Sequence, residues 1–294
     1  MNKWIAIVLP IISILLMGVL VLGVVYFREA NKLNDVQAEI VTLEGDISIL
    51  ESNISVLEVD LVDAKAVVLA LEAELLVTFP DVVLEDVLRV ALNKPEGNIY
   101  TFELKTLTVL EAFGIELFGG FEGGVAINPV MDGRVISDLN GLEYCVNLER
   151  LVLLEGSVSD ISPLVGLIHL ETLSLSDNTI SDISPLAGLT NLSDLSFNNN
   201  NISDISALTG LTNLLGFYLS YNNISDISAL VGLTNLQEIN LQGNNISDIS
   251  PLVENSGLSA GDTVDLRNNP LSTISIDDYV PQLEARGVAV ALVG

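Results

Sequence analysis

A single short phrase recurs at a fixed interval along the second half of this sequence. The motif I/V-S-D-I-S begins at Val158, Ile180, Ile202, Ile224 and Ile246, always 22 residues apart. A unit this short cannot bury its apolar side chains alone, whereas stacked copies of it share one continuous core. The period therefore predicts a solenoid, and it constrains the fold more tightly than length or composition does.

Each unit also carries apolar residues at fixed positions. In register, the units between residues 147 and 258 follow the pattern L-x-x-L-x-L-x-x-N-x-I, which is the signature of a leucine-rich repeat. The pattern predicts an α/β solenoid in which the strands of successive repeats stack as a parallel sheet. We assign residues 125–258 to the repeats and residues 259–294 to a last strand and a C-terminal cap.

Two polar columns run through the repeats. We predict that one column, an inward asparagine ladder, satisfies backbone groups at the end of each strand; it comprises Asn178, Asn200, Asn222, Asn244 and Asn269, and Gly156 interrupts it. The aspartates of the other column either cap Ser-rich turns, which is the favoured interpretation, or bind cations; they are Asp160, Asp182, Asp204, Asp226 and Asp248. The serines that precede proline are typical helix N-caps, at Ser162, Ser184 and Ser250.

The ends of a solenoid must be covered, because an open end exposes both the core and a strand edge. Residues 79–124 fit a helical N-terminal cap followed by an insertion, and Asp81 stands where it would cap the helix. Four segments, "FPDVVLEDVLRVALNKPEG", "GLEYCVNLERL", "NNISDISPL" and "GDTVDLRNNPL", resemble bacterial internalin-type leucine-rich repeat proteins. This resemblance implies a curved solenoid whose concave sheet binds proteins at a cell surface, and it does not name a ligand.

The N-terminus predicts a membrane anchor. Residues 4–27 are 24 consecutive uncharged and mostly apolar residues, enough to span a bilayer as a helix. The alternative is a cleaved secretory signal, but bulky Val25, Tyr26 and Phe27 stand where a small-residue cleavage site is expected. We assign residues 1–28 to a transmembrane signal anchor, and we expect a single-pass membrane protein with an extracellular repeat domain.

A heptad pattern follows the anchor and predicts a coiled-coil stalk over residues 29–77. Apolar residues from Leu33 to Leu75 alternate at spacings of three and four. Isoleucine at a and leucine at d favour a parallel homodimer, although like charges such as Glu39 and Glu44 face each other at the flanking positions. The alternatives are a long helix that lies on another protein and a heteromeric coil with a more basic partner.

Composition and isolated reactive residues argue against several functions. The chain has 39 acidic and 11 basic residues and a net charge of −28, which repels nucleic acid. Cys145 occupies an apolar slot of a degenerate repeat, and His169 replaces the first asparagine of a repeat. The sequence contains no paired nucleophile and base, no metal-ligand spacing and no phosphate loop. We therefore expect no catalytic residue, no metal and no cofactor, and we predict that the protein is not an enzyme.

The candidate ligand-binding site lies among the strand positions that alternate with the core leucines. Most of these positions are small and polar, whereas Tyr218, Tyr221 and Leu215 stand together, with Asp194 and Asp177 to one side. Aromatic anchors with a polar rim are typical of interfaces; the alternative is that both tyrosines lie on a half-buried sheet face. Eleven acidic residues and one basic residue lie between residues 147 and 248, which favours a basic partner.

Two functional hypotheses follow from these features. The first is a membrane-anchored cell-surface protein that uses its solenoid for protein or glycan binding and adhesion, displayed on the stalk. The second is an envelope scaffold or assembly protein that acts through coiled-coil oligomerisation, with a structural solenoid. A coherent exposed patch on the sheet would favour binding, whereas scattered polar residues would favour the scaffold.

Overall fold

The computed structural model describes residues 8, 10–21, 33–112 and 134–292. The chain divides into two compact units, Met1–Glu74 and Leu75–Gly294.

The first unit is dominated by one long helix, α1 (Leu33–Leu75), of 43 residues. Most of its heptad-seam side chains are exposed, among them Ile47, Leu50 and Leu71. The helix ends two residues before the predicted end of the stalk, because residues 76 and 77 form a strand. Val77 is β-branched, and Pro80 follows closely, so the chain favours extended backbone here.

The predicted membrane span, residues 4–27, lies partly outside the described residues. The described part is helical over residues 10–21. No helix among the described residues is long and apolar enough to cross a bilayer. Ile12, Leu15, Leu16 and Val19 line a cavity of about 210 Å³ together with Leu50, Asn53, Ile54 and Leu57 of α1.

The second unit begins with the N-terminal cap. Strand β1 (Leu76–Val77) pairs antiparallel with β2 (Ile99–Tyr100), and helix α2 (Val82–Ala91) and the short helix α3 (Thr101–Leu104) complete the cap. Asp81 is the N-cap residue of α2, and its Oδ1 accepts hydrogen bonds of 2.9 Å from the backbone N–H groups of Val83 and Leu84. The other carboxylate oxygen accepts from Ser137 and Asp138 of the first, degenerate repeat. One carboxylate thereby joins the cap to the solenoid. The predicted insertion lies largely outside the described residues.

An eight-stranded parallel sheet forms one side of the second unit. Its order follows the chain, with each strand beside the next, because each repeat contributes one strand and a short return. The strands are β3 (Val109–Ala112), β4 (Arg150–Leu153), β5 (Thr172–Ser174), β6 (Asp194–Ser196), β7 (Gly216–Tyr218), β8 (Glu238–Asn240), β9 (Thr263–Asp265) and β10 (Ala289–Ala291).

The returns opposite the sheet are short helices. Four of them are one-turn 3₁₀ helices that recur with the repeat, at Ser162–Leu164, Ser184–Gly188, Ser206–Gly210 and Ser228–Gly232; Leu142–Tyr144 precedes these and α4 (Ser250–Glu254) follows them. A π-helical turn (Ser275–Tyr279), α5 (Val280–Ala285) and the edge strand β10 close the C-terminal end. The sequence predicts one last strand and a cap in this region, and β10 is an additional strand that the repeat pattern does not indicate.

The core is one continuous cluster that runs through all repeats. The leucine and isoleucine positions of the motif are fully buried, as Leu173, Leu195 and Ile202 illustrate. Cys145 belongs to this cluster, and burial, together with the nearby Glu143 charge, raises the pKa of its thiol to about 12. The thiol therefore stays protonated at neutral pH and serves as a small apolar side chain.

The asparagine column joins neighbouring repeats through hydrogen bonds. Asn222 is representative: its Oδ1 accepts from the N–H of Ile202 at 2.9 Å, and its Nδ2 donates to the carbonyls of Phe197 and Leu219 at 2.9 and 3.2 Å. The same three kinds of bond recur at Asn178, Asn200, Asn244 and Asn269. A Cβ atom at Gly156 would lie 2.5 Å from Asn178 Oδ1 and 2.7 Å from the Ile136 carbonyl oxygen. Glycine is required there because the next repeat occupies the space.

The aspartate column caps turns. In each repeat the aspartate Oδ1 accepts a hydrogen bond of 2.8 Å from the N–H of the serine two residues later. Such bonds lower the pKa of Asp182 and Asp204. The prediction that Ser162, Ser184 and Ser250 are N-caps was wrong: each begins its helix, and the residue before it is the N-cap. The aspartate is the better acceptor at this turn because its carboxylate is charged.

Candidate functional site

The sheet has one solvent-facing side, which we call the sheet face. It is formed by the strand residues that alternate with the buried leucines. Two rows of this face cross the strands in register: Arg150, Thr172, Asp194, Gly216, Glu238, Thr263 and Ala289, and beside them Val152, Ser174, Ser196, Tyr218, Asn240, Asp265 and Ala291. Neighbouring members of one row lie about 4.8 Å apart, so each row is a potential contact line for a ligand.

Tyr218 leans across the first row of the sheet face. A Cβ atom at Gly216 would lie 2.9 Å from Tyr218 Cε2 and 2.7 Å from Asp194 Oδ1. The absence of a side chain at Gly216 therefore gives the tyrosine ring its space. At the far end of the ring, the Tyr218 hydroxyl donates a hydrogen bond to the carboxylate of Glu238 in the next repeat.

The surroundings of Tyr218 keep its phenol protonated. Burial is the first cause, the hydrogen bond to Glu238 is the second, and the charges of Glu238 and Asp194 add to them. Together they raise the pKa of Tyr218 to about 12. The phenol is therefore protonated at neutral pH and donates its hydrogen bond to Glu238.

Tyr221 follows the C-terminal end of the same strand by three residues, in a strained backbone conformation. Its φ is +55°, and the equivalent residues of neighbouring repeats share this left-handed conformation: Glu155, Asp177, Asn199, Gly243 and Asn268. Asparagine and glycine accept it readily, whereas a tyrosine does so at a cost. The ring is about half exposed and covers Gly243, where a Cβ atom would lie 2.7 Å from Tyr221 Cδ1.

The five predicted site residues divide into two groups. Leu215 and Asp194 lie at the N-terminal ends of β7 and β6, where Leu215 is 40% exposed, and the ring of Tyr218, the last residue of β7, leans toward this end over Gly216. Asp177 and Tyr221 lie at the C-terminal ends, in the same left-handed column and two repeats apart, which is about 10 Å. Asp177 accepts a hydrogen bond of 2.9 Å from Asn199 Nδ2, the residue between them. Tyr218 ends β7 and Tyr221 follows three residues later, so both tyrosines belong to the C-terminal side of one strand.

The described part of the sheet face has its basic side chains already paired. Arg150 forms an ion pair with the buried Glu111, and Arg267 binds Asp265 with Nη2 2.6 Å from Oδ2. Burial alone would raise the pKa of Asp265, but Arg267 holds it below the usual range. Among the described residues, neither Asp194 nor Glu238 has a basic partner. The face therefore keeps unmatched negative charge around Tyr218.

A hollow of about 420 Å³ opens beside Tyr218, toward the C-terminal end of the solenoid, across β8, β9 and β10. Its lining side chains are those of Tyr218, Glu238, Asn240, Thr263, Asp265, Ala289 and Ala291. Sequence analysis did not identify Glu238 or this hollow. Glu238 could have been found from the 22-residue register, because it follows Asp194 and Gly216 in one row. The hollow could not, because it depends on the small residues of β10, which belong to no repeat.

The site offers acceptors, one phenol donor and an aromatic wall, which suit binding. Within residues 8, 10–21, 33–112 and 134–292, no three histidine, cysteine, aspartate or glutamate side chains are grouped so that they could hold a metal ion. The sheet face around Tyr218 is polar and carries the rings of Tyr218 and Tyr221.

The repeats match a known sequence family, and the fold is similar to those of solved structures. The family described as Leucine Rich repeats (2 copies) matches residues 168–210 and 212–254. No curated protein sequence matches the chain significantly. The fold is similar to an internalin (inlF) from Listeria monocytogenes, with a TM-score of 0.60, 30% identity and 73% of this chain covered.

The chain spans 56% of the length of that internalin. It is also similar to an internalin C2 (inlC2) from the same organism, with a TM-score of 0.50, 27% identity, 74% of this chain covered and 93% of the other. The repeat sequence, the parallel sheet and these two likenesses together identify the chain as an internalin-like leucine-rich repeat protein.

Proposed function

We propose that this protein is a binding protein, not an enzyme, and that it captures a protein ligand on the sheet face. The observation that carries the proposal is the concentration of Tyr218, Tyr221 and unpaired carboxylates in the middle of an otherwise small and polar face. Aromatic anchors surrounded by polar groups are typical of protein interfaces. The patch is coherent, which favours binding over the scattered polarity of a purely structural solenoid.

The strained backbone of Tyr221 supports the same proposal. A left-handed tyrosine destabilises the fold, and the two adjacent repeats have asparagine (Asn199) and glycine (Gly243) at this position. Strain of this kind tends to be retained where a side chain has a role in binding. We infer that Tyr221 is kept for its exposed ring.

The test is a selection of displayed random peptides on the immobilised full chain. Recovered peptides are then measured against the double variant Tyr218→Ala, Tyr221→Ala, with circular dichroism to verify that the variant is folded. We expect loss of binding in the folded double variant. Peptides that bind the wild type and the double variant equally would overturn the proposal, and competition by soluble glycans would redirect it to a glycan ligand.

We further propose that residues 4–27 anchor the chain in a membrane and that α1 displays the solenoid on the outer side. Support comes from the apolar composition of that segment and from the length of α1. The test is protease treatment of intact cells, with an antibody against the solenoid and a cytosolic protein as leak control. Loss of the solenoid signal supports external display, whereas protection until lysis contradicts it.

A second candidate function is an envelope scaffold that assembles through α1. The observation that favours it is the exposed heptad seam of this helix, including Ile47, Leu50, Leu57 and Leu61. A parallel homodimer would bury this seam, and each buried side chain would contribute on the order of 1.5 to 3 kcal/mol. Cross-linking of a cysteine placed at Leu50 tests it. Disulfide-linked dimers support the homodimer, and a strictly monomeric product contradicts it.

A further inference from the structure

The hollow beside Tyr218 has a lining that selects one class of chemical group. This inference rests on the proposed protein-binding function and specifies the partner. We infer that the hollow receives the basic side chain of an arginine or lysine on the protein ligand.

The shape of the hollow follows from a change in side-chain size along the two rows. Tyr218 and Glu238 are large, whereas Thr263, Ala289 and Ala291 on the next two strands are small. The step between them leaves a volume of about 420 Å³, which is in the range of small-ligand pockets. One long side chain can therefore enter without displacing a described residue.

The charge of the hollow favours a cation. Glu238 uses Oε2 to accept from the Tyr218 hydroxyl, and no hydrogen bond or ion pair of the described residues engages its other oxygen, Oε1. A charge-assisted hydrogen bond from a guanidinium or ammonium group would satisfy the free oxygen, and such bonds are stronger than neutral ones.

The remaining walls suit the apolar stem of a basic side chain. The methyl groups of Ala289 and Ala291 lie on one side, and the Tyr218 ring lies on the other. Long basic residues bury their methylene stems while the charged group reaches a polar contact, and an aromatic ring attracts a nearby cation. The amide of Asn240 adds a further acceptor.

An acidic ligand does not fit the same surface. The sheet-face arginines of the described repeats, Arg150 and Arg267, are occupied by Glu111 and Asp265. Asp194 and Glu238 would repel a carboxylate or a phosphate. A neutral group would leave the charge of Glu238 without a counter-charge once water is excluded.

The first experiment compares two peptides of the same shape on the full chain. An acetylated tetra-arginine peptide carries the guanidinium groups, and a tetra-citrulline peptide replaces each with a neutral urea. We expect the arginine peptide to bind at least about tenfold more tightly, the effect of a hydrogen bond to a charged group. Equal affinity of the two peptides would overturn the inference.

Single variants then separate the hollow from the general negative charge of the chain. Glu238→Gln removes the charge but keeps an acceptor for the Tyr218 hydroxyl, and we expect it to weaken the arginine peptide about tenfold. Glu171→Gln is the matched control, since it removes the same charge from an exposed position three repeats away. Equal weakening by both variants would show only nonspecific attraction and would overturn the inference.

Tyr218→Phe keeps the ring as a wall and frees both oxygens of Glu238. We expect it to bind the arginine peptide at least as tightly as the wild type does. Failure of the inference is distinguishable from failure of the proposed function. If the selected peptides require the two tyrosines for binding but are not enriched in arginine or lysine, the proposed binding function stands and the inference about a basic side chain is overturned. Selected peptides indifferent to the double tyrosine variant would overturn the function and, with it, the inference.

Discussion

The Tyr218 hydroxyl donates a hydrogen bond to the Glu238 carboxylate, from one repeat to the next. The two residues occupy different rows of the sheet face, so the bond runs diagonally across the strands. It is made over Gly216, whose missing side chain lets the ring lean between Asp194 and Glu238. This relationship defines the candidate site and has consequences that can be measured without a ligand.

The first prediction concerns the alkaline titration of Tyr218. Its raised pKa, about 12, stems from burial and from Glu238. We expect Glu238→Gln to lower the midpoint, because the neutral amide no longer disfavours phenolate. Ultraviolet difference absorbance of wild type, Glu238→Gln and Tyr218→Phe isolates this residue.

The same pKa fixes the sign of a stability effect. A folded-state pKa above the ordinary value of 10.0 means that the contribution of Tyr218 is complete below about pH 10 and is lost as pH rises toward 12. A Tyr218 midpoint that Glu238→Gln leaves unchanged would contradict the contribution of the Glu238 charge to the raised pKa.

The second prediction concerns the strain at Tyr221. We expect Tyr221→Asn to raise the free energy of unfolding by about 1 kcal/mol, because asparagine accepts the left-handed conformation more readily than tyrosine does. Urea unfolding measures the change. Asn199→Tyr, which introduces a tyrosine at the equivalent position, is the matched variant and should be destabilising.

The same Tyr221→Asn protein should bind selected peptides more weakly. If Tyr221 is retained for function, its replacement should increase stability and decrease binding. A stability loss for Tyr221→Asn would mean that packing of the ring over Gly243 outweighs the strain.

The third prediction concerns the asparagine column. Asn222→Ala should lower the free energy of unfolding by about 3 kcal/mol, since the Ile202 N–H and the Phe197 and Leu219 carbonyls would lose their partner while buried. Asn223→Ala is the control, because the neighbouring side chain is exposed. The control should change stability by less than about 0.5 kcal/mol. Similar losses in both variants would contradict the role assigned to Asn222.

The fourth prediction concerns Asp81 and pH. Burial raises the pKa of this carboxyl, but hydrogen bonds from Leu84, Ser137 and Asp138 outweigh burial and lower it below the ordinary value of 3.8. A lowered pKa contributes stability that is complete above the ordinary value and is lost as pH falls through the folded-state value. Asp81→Asn should therefore destabilise the chain by about 1 to 3 kcal/mol at neutral pH.

The difference between wild type and Asp81→Asn should shrink in acid. Urea unfolding at about pH 7 and about pH 3 measures it. A constant difference would show that the carboxylate charge is not what joins the cap to the first repeat.

Sequence reasoning was most successful where one residue type has one local role. Burial of the repeat leucines and isoleucines follows from the period, and Asp81 is identifiable as an N-cap because a carboxylate stands before an apolar helical pattern. It failed at Ser162 and its equivalents, where two residues of the same turn compete as hydrogen-bond acceptors. The candidate site was incomplete for a similar reason: Tyr218 is conspicuous, whereas Glu238 differs little from other exposed acids.

The sequence by itself determined the solenoid, because a 22-residue period leaves its apolar positions no other way to share a core. It also determined the polar columns, since each repeat presents the same unsatisfied backbone groups. Only the tertiary structure decided the diagonal contact of Tyr218 with Glu238, the separation of Tyr221 from it and the hollow against β10. These depend on the side chains of different repeats meeting in space, and on a closing strand whose small residues follow no period.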